Sequence, residues 1–326
     1  MSSKTIIFAI IALINLSVVL SQPSYLNFFL FNDTQYVNTI TSYSIAQGQI
    51  SSIYDLTVPE SFDSWEQVLN VDKWGNFYVL VQEDTTWNQS MNIYAFSKTG
   101  QFINQTKPIV DISEGTFFNP QSIGYDVTLN TAVFAAVNGD EDTILFTFNF
   151  NTLQSEQQIV GFSPMNTPIG VYDPIYKNYF IMQQGDSDQT EYNFTLITYN
   201  LDSKSAPKPV QILGFEQDFD NTQLEYVDGV LYIVGSYGWP TANFTLYILD
   251  QLSGNVKQVY QTPSIDSDYY SDYWICNGYL VFVVQPSDNS DDTTINYLNL
   301  NTYTVNTKLT APFPLTAGDY SASWCQ

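Results

Sequence analysis

The chain carries 33 Asp and Glu residues but no histidine and no arginine, so carboxylates are its main resource for acid–base or metal chemistry. A Ser–His–Asp or Cys–His nucleophile would lack its base, and a histidine-ligated zinc or iron site would lack its imidazole. No guanidinium is present to clamp a substrate carboxylate with two parallel hydrogen bonds. What remains open is paired-carboxylate hydrolysis, as in glycoside cleavage, or an all-oxygen Ca²⁺ site. Glu66 and Glu225 are the candidates for catalysis, because they alone among the glutamates fall on segments that read as innermost strands of a repeat. Asp272 and Asp319 begin two further segments of that kind. No motif fixes the pairing or separation of these four carboxylates.

The elements that would position them recur about every fifty residues. Five copies read SWEQVLNVDKWGNFYVLVQ from Ser64, NPQSIGYDVTLNTAVFAAV from Asn119, TPIGVYDPIYKNYFIMQQ from Thr167, NTQLEYVDGVLYIVGS from Asn221 and SDYWICNGYLVFVVQ from Ser271. Each is a strand, a tight turn and a second strand, with hairpin chemistry at Trp74-Gly75-Asn76, Asp228-Gly229 and Asn277-Gly278. After each copy comes another hairpin of alternating residues, such as FTLYILDQLSGNVKQVYQT from Phe244. Four short strands per repeat predict a β-propeller blade.

The N-terminal stretch from Tyr25 supplies three strands and lacks the first. The C-terminal segment Asp319 to Cys325 matches the spacing of that missing strand. The expectation is therefore an all-β, six-bladed propeller of four antiparallel strands per blade, with one blade closed by the N- and C-terminal strands. Such closure removes exposed sheet edges. Cys276 and Cys325 fall at equivalent positions of innermost strands that adjoin once the ring closes. A disulfide there would close a loop of about 49 residues, worth roughly 4 kcal/mol in the chain-entropy account. If the strands stand farther apart than roughly 4.4–6.8 Å, two buried thiols result instead.

Residues 1–21 run from Lys4 through the apolar stretch Ile6 to Leu20 to small residues before Gln22, the pattern of a secretory signal removed after about Ser21. A membrane anchor would need roughly 20 apolar residues, and no other segment comes close. The expected mature chain, 22–326, is one soluble domain without a membrane span, outside the cell or in the secretory lumen, and a monomer. Asn32, Asn88, Asn104, Asn193 and Asn243 open sequons that this compartment exposes to glycosylation.

The formal net charge is −24, which repels phosphate and argues against nucleic acid. In a propeller, the loops between second and third strands share one face with the loops that join one blade to the next. Sorted by that rule, 23 of the 33 acidic residues fall on one face, and the lysines beyond Lys4 fall elsewhere. A one-signed face attracts cations, basic protein surfaces or Ca²⁺; the plainer alternative is solubility. Asp63, Trp65, Asp218, Asp220, Asp266, Asp268, Tyr269 and Tyr270 define the candidate binding face, and Asp218, Asp220, Asp266 and Asp268 the candidate Ca²⁺ ligands. Aromatics beside carboxylates, including Phe117, Phe118 and Phe215, suit a carbohydrate or peptide ligand, or else pack between blades.

VDKWGNFYVLV from Val71 is similar to the D-x-x-G-N-x-Y-V element of six-bladed propellers of the NHL, TolB and gluconolactonase-like type, and the turns at Asp228-Gly229 and Asn277-Gly278 are shortened relatives. The resemblance implies the fold and a binding site at the channel mouth. Such families include Ca²⁺-dependent lactonases and non-enzymatic binding modules. Three functions follow as expectations: a secreted module binding an extracellular protein or carbohydrate, a Ca²⁺-assisted hydrolase or lactonase, or a structural matrix protein.

Overall fold

The computed structural model describes residues 25–325 except 33–36, 45, 57–65, 72–75, 86–87, 106–109, 113–116, 119–121, 127, 138–141, 163–168, 185–193, 205–207, 216–220, 238–240, 263–264, 267–272, 277, 285–292 and 312–322. The signal segment, Asn193, and much of the acidic face lie outside the described residues.

Every named element is a strand, and most of the longer ones carry apolar residues in alternation. The first three are β1 (Tyr25–Asn32), β2 (Val37–Ser44) and β3 (Gln49–Asp55). Next come β4 (Glu66–Val71), β5 (Phe77–Thr85), β6 (Asn88–Phe96), β7 (Phe102–Gln105) and the short β8 (Val110–Ile112). They are followed by β9 (Phe117–Phe118), β10 (Gly124–Asp126), β11 (Thr131–Val137), β12 (Asp142–Asn149) and β13 (Gln154–Phe162). The third repeat gives β14 (Ile169–Asp173), β15 (Asn178–Gln184), β16 (Phe194–Asn200) and β17 (Lys208–Gln211). The fourth gives β18 (Asn221–Val227), β19 (Val230–Tyr237), β20 (Thr241–Leu249), β21 (Val256–Gln261) and β22 (Ile265–Asp266). Last are β23 (Tyr273–Cys276), β24 (Tyr279–Val284), β25 (Thr293–Asn299), β26 (Thr304–Ala311) and β27 (Ser323–Cys325).

The result is an all-β propeller of antiparallel sheets. Five sheets are each built from consecutive strands, β4-β5-β6-β7, β10-β11-β12-β13, β14-β15-β16-β17, β18-β19-β20-β21 and β23-β24-β25-β26. A further sheet, β27-β1-β2-β3, joins the two ends of the chain, with Trp324 opposite Asn27 and Cys325 opposite Leu26.

Apolar layers glue neighbouring sheets. Ile93 of β6 packs with Phe134 and Phe146, and Tyr172 and Tyr179 pack with Val133 and Leu145. Phe180 and Met182 meet Leu224 and Ile233, and Tyr232 and Val234 meet Tyr273 and Leu280. β23 runs beside β27. At the outer rim the close approaches are backbone to glycine. A Cβ on Gly100 would lie 2.3 Å from the Asp55 carbonyl oxygen, and one on Gly254 would lie 1.9 Å from that of Gln211. Both glycines also hold positive φ, +80° and +73°.

The outermost strand of most sheets is an edge, and five of them are bulged against their neighbours, at Ser42/Tyr43, Ala95/Phe96, Thr143/Ile144, Leu246/Tyr247 and Tyr297/Leu298. A bulge twists an edge away from intermolecular pairing.

The turns joining third and fourth strands repeat one device. The Oδ1 atoms of Asn149, Asn200, Asp250 and Asn299 accept from backbone N–H groups two or three residues on. Each turn ends in a left-handed residue, Leu153, Lys204, Gly254 and Tyr303. Phe150, Leu201 and Leu300 follow the Asn, and each donates its N–H to the turn between first and second strands, at Asn130, Lys177 and Gly278.

Candidate binding face and channel carboxylates

Because consecutive strands alternate in direction, the second-to-third loops and the blade-to-blade loops leave each sheet at the same end. Three short strands outside the main repeat thicken that end. β8 places Asp111 opposite Ser90, β9 places Phe118 opposite Ala136, and β22 places Asp266 opposite Thr241. Glu83 also stands opposite Ser90, so Glu83 and Asp111 flank it in one cross-strand row. Glu83 and Asp84 belong to β5 and not to the loop after it, because the hairpin closes tightly at Thr85 opposite Asn88. Two- and three-residue strands such as β8, β9 and β22 have too little sequence to show a period.

Among the expected face residues, Asp63, Trp65, Asp218, Asp220, Asp268, Tyr269 and Tyr270 lie outside the described residues. Asp272 and Asp319 do as well. Among the described residues, no three acidic or cysteine side chains converge to hold a metal ion. Phe215 takes the packing alternative: it is buried between sheets, edge-on to Phe194 at 5.3 Å and to Tyr247 at 5.3 Å.

Glu66 is the first residue of β4, opposite Val81. Glu225 lies deeper, opposite Tyr232 near the turn that ends β18. The two glutamates thus occupy different heights on their innermost strands. Glu225 is half-buried, yet its carboxyl end is dehydrated, and that loss of water pushes its pKa up to about 8. By strand alternation it shares a face with Val227, which packs into the apolar layer with Tyr232 and Tyr273. Gln223, two residues away on the same face, is buried, and its Nε2 meets no acceptor among the described residues. Gln223 escaped sequence reasoning, since a lone Gln in an alternating strand reads as solvent-facing.

At the opposite end, Asp126 and Asp173 open first-to-second turns and do more than form them. Asp126 Oδ1 accepts from Thr128 N (2.9 Å), Thr128 Oγ1 (2.6 Å) and Leu129 N (3.0 Å), while Oδ2 accepts from Tyr172 Oη (2.9 Å) of the next sheet and from Lys177 Nζ. Burial works against its charge, but these donors outweigh it and hold the carboxyl at about 2. One sheet on, Asp173 Oδ1 accepts from Ile175 N (2.9 Å) and Tyr176 N (3.2 Å). Tyr226 of the following sheet also faces this carboxylate, and burial first, then its hydrogen bond to Asp173, pushes the Tyr226 hydroxyl up to about 12. Cys276 and Cys325 end β23 and β27, which are adjacent strands. Asn104 is exposed on β7 and Asn243 is half-buried on β20, while Asn32 and Asn88 lie on β1 and at the start of β6.

No family model matches the sequence, and no curated protein does. Among solved structures the chain is similar to TolB from Acinetobacter baumannii, with TM-score 0.52, 11% identity, 88% of this chain covered and 63% of that one. The chain therefore spans less than two thirds of that protein's length. It also aligns with a luciferin-regenerating enzyme (TM-score 0.44, 9% identity, 92% and 94% covered) and with a protein described as a 6-phosphogluconolactonase from Bacteroides uniformis (TM-score 0.49, 12% identity, 93% and 100% covered). At these identities the likeness to TolB concerns the fold, and it agrees with the propeller resemblance carried by the Val71 segment.

Proposed function

We propose that the chain is a secreted six-bladed propeller acting as an extracellular binding module, whose acidic, aromatic-bearing end docks a cationic protein surface or a carbohydrate. The observation that carries this reading is topological. The alternating strand order supports a common end for the acid-rich loops, and β8, β9 and β22 lie along that end. The composite β27-β1-β2-β3 sheet, flanked by β23 on one side and by the Gly100 turn on the other, supports a ring of six. The adjacency of β23 and β27 likewise supports a Cys276–Cys325 disulfide. Intact mass of the secreted chain, before and after deglycosylation and reduction, reads the Gln22 start, the glycans and the bridge together.

The binding test uses an oligolysine peptide as the cationic probe. It should bind with an affinity that falls steeply with salt. Replacing Asp218, Asp220, Asp266 and Asp268 by Asn should weaken it about tenfold, roughly 1.4 kcal/mol. Unchanged affinity in that variant would remove the acidic face as the docking surface.

A second reading, a Ca²⁺-assisted hydrolase or lactonase, is favoured by one observation: Glu225 sits on an innermost strand with a carboxyl held near the range useful to a general acid. In that case millimolar Ca²⁺ would raise the melting temperature more than Na⁺ at equal ionic strength. Equal melting temperatures in the two salts would remove this reading.

A further inference from the structure

The end of the propeller opposite the acidic loops carries bare apolar side chains on two neighbouring sheets. Leu129 is 51% exposed, Leu153 40%, Ile175 69% and Tyr176 66%. They stand on three turns that, with the turn after Asn200, are hydrogen-bonded into one surface. Lys177 Nζ reaches Thr128 Oγ1 (3.2 Å), Asn130 Nδ2 donates to Asn151 Oδ1 (2.9 Å), and Asn200 Nδ2 donates to the Tyr176 carbonyl (2.8 Å). Large apolar tips clustered on a rigid surface mark an interaction site rather than scatter.

The charges of this sector are internally matched, unlike those of the chain as a whole. Lys177 pairs with Asp126, Lys204 lies 3.6 Å from Glu156, and Asp173 is buried, which leaves Asp202 as the exposed unpaired acid of the four turns. A partner here must be apolar and uncharged where it touches. A basic protein would be drawn to the other end, and an anionic lipid surface would find its two lysines already engaged. A second copy of this chain satisfies the requirement by construction, because a two-fold contact sets each patch against itself.

We propose that two copies associate back to back through the Leu129, Leu153, Ile175 and Tyr176 surface. Electrostatics permits this arrangement and opposes the others. The strands between the patch and the acidic loops run seven or eight residues in β11, β12, β15 and β16. At ~3.3 Å per residue the two acidic ends are held roughly 50 Å apart, several times the ~8 Å screening length of physiological salt. The dimer would present two acidic faces in opposite directions, a geometry suited to bridging two partners.

Sedimentation equilibrium of the purified mature chain tests this, from about 1 to 200 µM at physiological ionic strength, since a contact of this size is of the weak, transient class. The expected result is a monomer–dimer equilibrium that holds or tightens as salt is raised; a head-to-tail contact of acidic loops on lysines would weaken instead. Leu129→Ser with Ile175→Ser should weaken the dimer at least tenfold with the circular dichroism and melting temperature retained. Ile103→Ser, an exposed apolar change on β7, should leave it intact. A monomer at every concentration, a dimer that salt dissolves, or one that survives the double substitution would each overturn the proposal.

Discussion

A carboxyl that must shed water on folding prefers to shed its charge too, and Glu225 shows which way this tips stability. Its folded pKa, about 8, lies above the ordinary 4.5. The protonated form is favoured by folding, so its contribution is fully present below about pH 4.5 and is lost as pH climbs through 8. Glu225→Gln imitates the protonated form and removes the titration. The variant should melt close to the native chain at pH 5 and above it at pH 8.5, measured by differential scanning calorimetry. A native chain that loses nothing relative to the variant between those pH values would show the carboxyl to be hydrated. The position of Glu225 on an innermost strand could be read from alternation alone. Its protonation could not, because dehydration depends on burial in the assembled sheets, with Tyr232 opposite it on the next strand, which no local window contains. Asp126 makes the converse point: a residue that reads as a turn-former is also a clamp, since Tyr172 and Lys177 reach it from the next blade.

At the scale of the element, the hairpins were legible because the two-residue period and the turn chemistry act over a few neighbours. The short bridges β8, β9 and β22 were not, for they exist only where a loop happens to lie along a finished sheet. The third-to-fourth turns were visible but unread: Asn149, Asn200, Asp250 and Asn299 stand at a fixed offset before a left-handed residue. Turn glycines differ in consequence. Gly229 has φ +88° with open space around it, while a Cβ on Gly254 would strike the Gln211 backbone of the adjacent sheet. Gly229→Ala should therefore cost about 1–2 kcal/mol, the price of a left-handed alanine. Gly254→Ala adds a collision with backbone that cannot rotate away, and should cost about 3 kcal/mol or more. Chemical denaturation of the two variants measures the difference. Equal midpoints would mean that the sheets are not held together at the rim.

Across the whole molecule, strand direction alone fixes the end of each sheet from which a loop leaves, which is why a count of strands sufficed to sort the loops into two sets. Closure rests on far less material, since β27 meets β1 over three residue pairs, Leu26 with Cys325, Asn27 with Trp324 and Phe28 with Ser323. Removing the last 10 residues should lower the melting temperature by several degrees, at roughly 2–4 °C per kcal/mol for a chain approaching this size, and reduce secretion. A truncated chain that melts like the full one would place closure elsewhere.

The same join sets a schedule during synthesis. β1 is among the first strands made and its partner β27 is the last, separated by the interval from Asn32 to Ser323. At ~5–20 residues per second the ribosome needs on the order of 15–60 s to cross that interval. Throughout it, the apolar segment Tyr25–Asn32 has β2 on one side and a bare row of backbone donors and acceptors on the other. Five sheets can form as they emerge, but the sheet of β1 cannot be completed until Ser323–Cys325 has left the ribosome, so one specific strand edge stays open for that whole interval.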